Sequence, residues 1–494
     1  MFESAELGHE IDKASYREEA LRLREALLTA QLDLKQRGDF PVVIILAGVP
    51  AAGKGETANM LTEWMDPRHI ATHAFGQAND EESARAPFWR FWRVLPEKGT
   101  IGIMFGGWYA DPLWHWDDWD EPRLARRIER IVRLEKMLAD EGALVLKFWL
   151  HLSRDKLRQR LKTLEGDSRT AWRVTREDKR FLKEYDQRIA QCRALLTRTN
   201  LADAPWRVIE GWDANYRDLS VARQVHDAIV HQLERENVSQ NHVDAPPLVH
   251  SIDGVRLLDT LQLDHTLTKA KFKDRLELAQ GRLNGLMREV AQRKIAVVAV
   301  FEGMDAAGKG GAIRRVTAAL DARQYRVVPI AAPTDEEKAQ PYLWRFWRHL
   351  PPHGRLAVFD RSWYGRVLVE RIEGFATYAE WMRAYNEIND FEAQLVDAGT
   401  VVIKFWLAID KDEQLRRFKE REATGYKRFK ITDEDWRNRD KWDDYVEAAS
   451  DMIERTNTPY APWHQIGANN KYHARIAVLD ALCDAIEQRL KQED

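Results

Sequence analysis

The pentapeptide Trp89-Arg-Phe-Trp-Arg93 recurs unchanged as Trp344-Arg-Phe-Trp-Arg348, 255 residues further along the chain. The same offset aligns Gly53-Lys54-Gly55 with Gly308-Lys309-Gly310, Pro96 with Pro351, and Trp108-Tyr109 with Trp363-Tyr364. Further on the offset becomes 257, pairing Lys147-Phe-Trp-Leu150 with Lys404-Phe-Trp-Leu407, Arg198-Thr-Asn200 with Arg455-Thr-Asn457, and Ala204-Pro-Trp206 with Ala461-Pro-Trp463. A small insertion accounts for the change. A period this long is a duplicated domain, since solenoid repeats run to only about 20–50 residues. The polar, Pro-containing stretch from Glu236 to Ser251 is the natural linker, so the reading is a first domain over residues 1–237, a linker over 238–252 and a second domain over 253–494.

Composition narrows the class. With 44% hydrophobic and 31% charged residues, the 494-residue chain is expected to be globular rather than disordered. Apolar runs such as Ile295 to Phe301 fall far short of the ~18 residues a membrane helix needs. The acidic start, without the basic and apolar regions of a secretory signal, leads to an expected cytoplasmic location. Cys192 and Cys483 are the only cysteines and form no Cys-x-x-Cys pair, so neither a disulfide framework nor a thiolate zinc site is expected. The histidines are scattered, without His-Glu-x-x-His. A formal charge of -3 argues against a nucleic-acid partner, and the tryptophans at helical spacing are read as packing.

Within each half, β-branched runs alternate with longer amphipathic stretches. Val42 to Ala47, Ile101 to Phe105 and Val145 to Leu150 match Ile295 to Phe301, Leu356 to Phe359 and Val401 to Leu407. Continuous apolar strands of this kind predict an α/β fold, a mostly parallel sheet with helices on both faces. Gly303-Met-Asp-Ala-Ala-Gly308-Lys309 follows such a strand and leads into a helix, the context of a phosphate-binding loop. Backbone N–H groups from Gly303 through Ala306, Ala307, Gly308 and Gly310 can turn toward a phosphate chain, with Lys309 as a mobile cation. Gly310 stands where a magnesium-holding Ser or Thr normally follows the Lys. The metal must therefore rest on other oxygens, and Asp305 in the loop and Asp360 at the end of the next clear strand are the candidates. Arg361 and Arg366 are candidates for bidentate phosphate contacts, Arg345 and Arg348 for reaching a phosphate, and Glu370 for a further polar contact.

The first half keeps the glycines and Lys54 but loses the acids. Pro50 stands for Asp305, Phe105 for Asp360, Gly106 for Arg361 and His115 for Glu370. It can still cradle phosphate but should not assemble a metal, so the chemistry is expected in the second half. Residues 416 to 441 of that half carry ten basic against six acidic side chains, which composition alone leaves between a solvated helical face and a ligand surface.

Taken together, Gly-Met-Asp-Ala-Ala-Gly-Lys-Gly-Gly, Trp-Arg-Phe-Trp-Arg, Phe-Asp-Arg-Ser-Trp-Tyr-Gly-Arg and the basic Lys427-Arg-Phe-Lys430 resemble the type-2 polyphosphate kinases over almost the whole chain. The duplication is similar to that of two-domain members that phosphorylate AMP from polyphosphate. The resemblance implies two tandem P-loop kinase-like domains, each with a helical lid. It also implies Asp305, Asp360, Lys309 and Arg361 working with Mg2+ or Mn2+, with Lys427, Arg428 and Lys430 as lid cations. The expected reaction is transfer of a terminal phosphoryl group from inorganic polyphosphate to AMP, giving ADP. An ATP-dependent nucleotide or nucleoside kinase and a non-catalytic polyphosphate-binding protein are the alternatives. Base preference, chain length, reversibility and homo-oligomerisation stay open.

Overall fold

The computed structural model describes residues 1–114, 120–235, 255–425, 431 and 433–492. His115, the linker 238–252, and Lys427, Arg428 and Lys430 lie outside the described residues. The chain forms two compact units. Described residues of Met1–Ala78, Arg90–Gln240 and Pro333–Trp344 make the first, and those of Asn79–Trp89, Asn241–Ala332 and Arg345–Asp494 the second. At the offset of 255 the two short stretches are equivalents, so each half of the sequence contributes one to the other unit.

Each unit is an α/β sandwich around five parallel strands. The first has β1 (Val42–Gly48), β2 (Ile70–Ala74), β3 (Ile101–Phe105), β4 (Leu144–His151) and β5 (Trp206–Glu210), in the order β2-β3-β1-β4-β5. The second has β6 (Val297–Gly303), β7 (Tyr325–Pro329), β8 (Leu356–Asp360), β9 (Val401–Ala408) and β10 (Trp463–Gly467), in the equivalent order β7-β8-β6-β9-β10. Every pairing is parallel, in register Val297 to Leu356 and Val297 to Val401 around the central strand. All eight residues of β9 and all seven of β1 are buried, which is why these strands read as apolar runs, broken in β9 only by Lys404. Helices flank the sheets; in the second unit Lys269–Gln292 packs on Lys471–Lys491. No helix among the described residues is long and apolar enough to cross a membrane.

The repeated Trp-Tyr pair has a structural task. In the second unit Trp363 Nε1 and Tyr364 Oη donate to the same oxygen of Glu392, at 2.9 and 2.6 Å. Lys404 Nζ reaches the other oxygen at 2.7 Å and the Thr456 carbonyl at 2.7 Å, and both charged side chains are fully buried. The first unit repeats this with Glu135, Trp108, Tyr109, Lys147 and Thr199. An ion pair without solvent is tolerable only because its donors and acceptors are matched. The Trp-Arg-Phe-Trp-Arg repeat is packing as well: Phe346 and Trp347 are buried, and Arg345, also buried, donates to the Ala331 carbonyl at 2.9 Å.

Candidate active site

Strand β6 ends in a turn that only glycine can make. Gly303 has φ +143°, and a Cβ there would lie 2.3 Å from the Leu407 carbonyl oxygen on β9. The loop then runs over Met304 to Gly308 and enters the helix Lys309–Thr317. Lys309 Nζ rests on the Gly303 carbonyl at 2.5 Å, folded back over its own loop. Behind the loop Arg417 donates to the carbonyls of Ala306 and Ala307 and to those of Ala468 and Asn469, fixing its shape.

Asp305, Lys309 and Arg361 line one cleft, whose other walls include Met304, Leu368, Trp406, Trp442 and Tyr445. Asp360 joins them in a second groove on the outer side of the loop. Arg361 Nη2 lies 3.5 Å from Asp305 Oδ1. Desolvation opposes the charge on Arg361, but Asp305, Glu302, Glu434 and Asp360 outweigh it and its pKa rises. The corner that presents this arginine is strained: Arg361 has φ +62°, a left-handed conformation rare for a side chain of its size. Gly106, its counterpart, takes the same corner at φ +67° without that cost. Arg366 turns elsewhere, to Glu370 at 2.8 Å and Glu380 at 3.8 Å, and burial raises the Glu370 pKa against the pull of Arg366. Arg348 is exposed.

Several groups at the cleft escaped sequence reasoning. Glu302, buried beside the loop on β6, accepts from Ser362 Oγ at 2.8 Å; burial raises its pKa, while Lys309 and Arg361 hold it down. In the first half Ala47 and Gly107 replace this pair. Asn438 donates to Asp305 Oδ2 at 2.8 Å, and Tyr445 Oη donates to Asn438 at 3.3 Å. Phe181 stands for Asn438 in the first half, where Pro50 stands for Asp305. The signal was available in the repeat itself: polar residues of one half that turn apolar in the other.

The first unit's loop has a different interior. Lys54 Nζ is tied to the carbonyls of Gly48 and Val49 at 3.0 and 2.9 Å, and burial lowers its pKa to about 8. Arg217, paired with Asp218 at 2.9 Å, packs so closely on Gly53 that a Cβ there would meet its guanidinium at 1.9 Å. The second half has Ala474 at that position.

Two matches to the polyphosphate kinase 2 family cover the chain, over residues 10–237 and again over 266–494. The chain belongs to the polyphosphate kinase 2 family. Among members of this family, a protein from Pseudomonas aeruginosa named polyphosphate:AMP phosphotransferase is 53% identical, over all of both chains. Another of that name, from Acinetobacter johnsonii, is 42% identical over 94% of each. A crystal structure described as a polyphosphate kinase 2 from Pseudomonas aeruginosa superposes with a TM-score of 0.89 at 52% identity, covering both chains fully. The duplication of this chain therefore extends through the whole fold.

Proposed function

We propose that the second unit transfers the terminal phosphoryl group of inorganic polyphosphate to AMP, yielding ADP and a polymer one unit shorter. The observation that carries this reading is the full-length similarity to proteins named for that reaction. The cleft supplies a physical account of it. An AMP phosphate oxygen bonds to the terminal phosphorus as the bridging P–O bond breaks, and the electron pair stays on the shortened polymer. The attacking oxygen belongs to a phosphate whose second pKa is about 6, so no side chain has to take a proton at neutral pH. What the protein supplies is position and charge.

The backbone of Gly303, Ala306, Ala307, Gly308 and Gly310 cradles the donor's terminal phosphates, and Lys309 swings from the Gly303 carbonyl onto them. Arg361, 3.5 Å from Asp305, neutralises the equatorial oxygens. The apolar wall of Met304, Leu368, Trp406 and Trp442, with Asn438 as a polar contact, suits a nucleobase. Asp305 and Asp360 suit Mg2+ or Mn2+. The Asp360 carboxylate makes no hydrogen bond or ion pair with a described residue. Among the described residues no three His, Cys, Asp or Glu side chains converge on one point, so phosphate oxygens and water would complete the shell. Such a cation supplies charge neutralisation between donor and acceptor. Arg345, Arg348, Arg366 and Glu370 line neither the cleft nor the groove and carry no phosphate role in this reading, and Lys427, Arg428 and Lys430 lie outside the described residues. Two buried, unpaired cysteines suit a reducing compartment, and we place the protein in the cytoplasm, acting without nucleic acid or membrane.

The test is donor choice. With AMP and magnesium present, phosphorus NMR should show ADP formed from polyphosphate much faster than from ATP; faster transfer from ATP would make the protein an ordinary nucleotide kinase. A companion result is expected of Arg361→Gly. Removing a strained left-handed arginine should hold folded stability or raise it by up to about 1 kcal/mol, while kcat falls by about 10²-fold. Chemical denaturation and steady-state kinetics on the same preparation measure both, and a destabilised variant would show that the corner is unstrained.

A further inference from the structure

Trp406 forms part of the cleft wall and is itself buried. Its indole Nε1 is enclosed and finds no hydrogen-bond partner among the described residues. A buried indole N–H normally has one, because an unmet donor keeps the full cost of leaving water. The same unit meets that need elsewhere: Trp363 Nε1 donates to Glu392 at 2.9 Å and Trp463 Nε1 to Thr456 Oγ1 at 2.8 Å. Trp406 pairs in register with Glu302 on the neighbouring strand, so both side chains leave the same face of the sheet, and both line the cleft.

The duplication gives an internal control. At the offset of 257 the counterpart is Trp149, whose Nε1 donates to His151 Nδ1 at 3.4 Å. That imidazole is held in place, with its Nε2 2.7 Å from Glu6 and the Phe2 ring stacked on it at 4.7 Å between centroids. The second half has Ala408 where His151 stands, and a methyl group accepts nothing. The fold can therefore satisfy this indole from within, and does so in the half that lacks the two acids. In the half that has them the N–H is left for something else.

The surroundings say what kind of group completes it. The donor is neutral and shares its wall with Met304, Leu368 and Trp442, an apolar setting that favours a neutral partner over a phosphate oxygen. Anionic oxygens have Lys309 and Arg361 in the same cleft. We propose that Trp406 Nε1 donates a hydrogen bond to a ring nitrogen of the adenine of AMP, and so orients the base of the phosphoryl acceptor. The assignment deepens the reading of AMP as that acceptor and rests on it.

The test is equilibrium binding by calorimetry, without polyphosphate, of AMP and of its three analogues in which N1, N3 or N7 of the adenine is replaced by carbon. The proteins are the unaltered full chain, Trp406→Phe, which keeps an aromatic ring but removes the N–H, and Trp149→Phe, which removes the equivalent indole from the first unit. AMP should bind about 3- to 10-fold more weakly to Trp406→Phe and unchanged to Trp149→Phe. One analogue should show that same loss on the unaltered chain and no further loss on Trp406→Phe, a pairing that a merely loosened core does not produce. Unchanged AMP affinity in Trp406→Phe, or an equal loss there for AMP and all three analogues, overturns the contact and leaves the transfer reading standing. Should Trp406→Phe not fold, the unaltered chain decides: equal affinity for AMP and all three analogues overturns the contact, and a loss confined to one of them supports it. An unaltered chain that binds no AMP refutes the contact together with the transfer reading.

Discussion

Asp305→Asn and Asp360→Asn are each expected to lower kcat by about 10²- to 10³-fold, and excess chelator should abolish turnover of the unaltered protein. The loop carries Gly310 where a hydroxyl ligand would sit, so in the proposed function these two carboxylates would supply the protein's contribution to a divalent cation. Asparagine keeps the shape but removes the charge. At position 305 it also retains an oxygen for the Asn438 amide, now 2.8 Å from Oδ2, so the fold should be preserved. Both variants should need a higher cation concentration for half-maximal rate, as charge loss at a ligand requires. Full turnover in excess chelator would remove the metal from the account, and a rate change without any shift in cation dependence would make the two acids electrostatic groups only.

Lys404→Met is expected to destabilise the second unit by about 3–5 kcal/mol, because it leaves Glu392 charged, buried and without its cation. Trp363 and Tyr364 would still donate to that carboxylate, but neither supplies a charge. Adding Glu392→Gln should recover part of the loss. Lys147→Met should destabilise the first unit to a similar extent, since its pair at 2.6 Å is equally enclosed. Urea unfolding followed by Trp fluorescence measures each; a loss under about 1 kcal/mol would mean that water reaches the carboxylate.

How far the sequence reaches depends on burial. The central strands were legible because burial on both faces forces unbroken apolar runs. Strands β2, β5, β7 and β10 were not, since they lie at sheet edges and β2 and β7 are half exposed, their alternation diluted by Arg326, Thr72 and His73. The loop with Asp305 and Lys309 was legible because its spacing is local, and Asp360 because it ends an apolar strand. Asn438 was not, because it reaches Asp305 across 133 residues and only the fold brings them together. Glu302 was missed for a different reason: one acid inside a hydrophobic strand reads as a pattern defect until Ser362 and the missing counterparts Ala47 and Gly107 give it company. Nor does any local signal announce that residues 79–89 and 333–344 join the unit opposite their own half.

The claim that the chemistry resides in one half of a duplicated chain is tested most directly by single-turnover phosphoryl transfer to AMP in Lys54→Ala and Lys309→Ala at matched folding stability. Lys54 is held by the Gly48 and Val49 carbonyls, and Pro50 and Phe105 stand in its half where Asp305 and Asp360 stand in the other, while Lys309 lines the cleft with Asp305 and Arg361. The account predicts a chemical step slowed by about 10³-fold in Lys309→Ala and unchanged within about twofold in Lys54→Ala. Comparable slowing in the two variants would contradict it and bring the first half into the reaction.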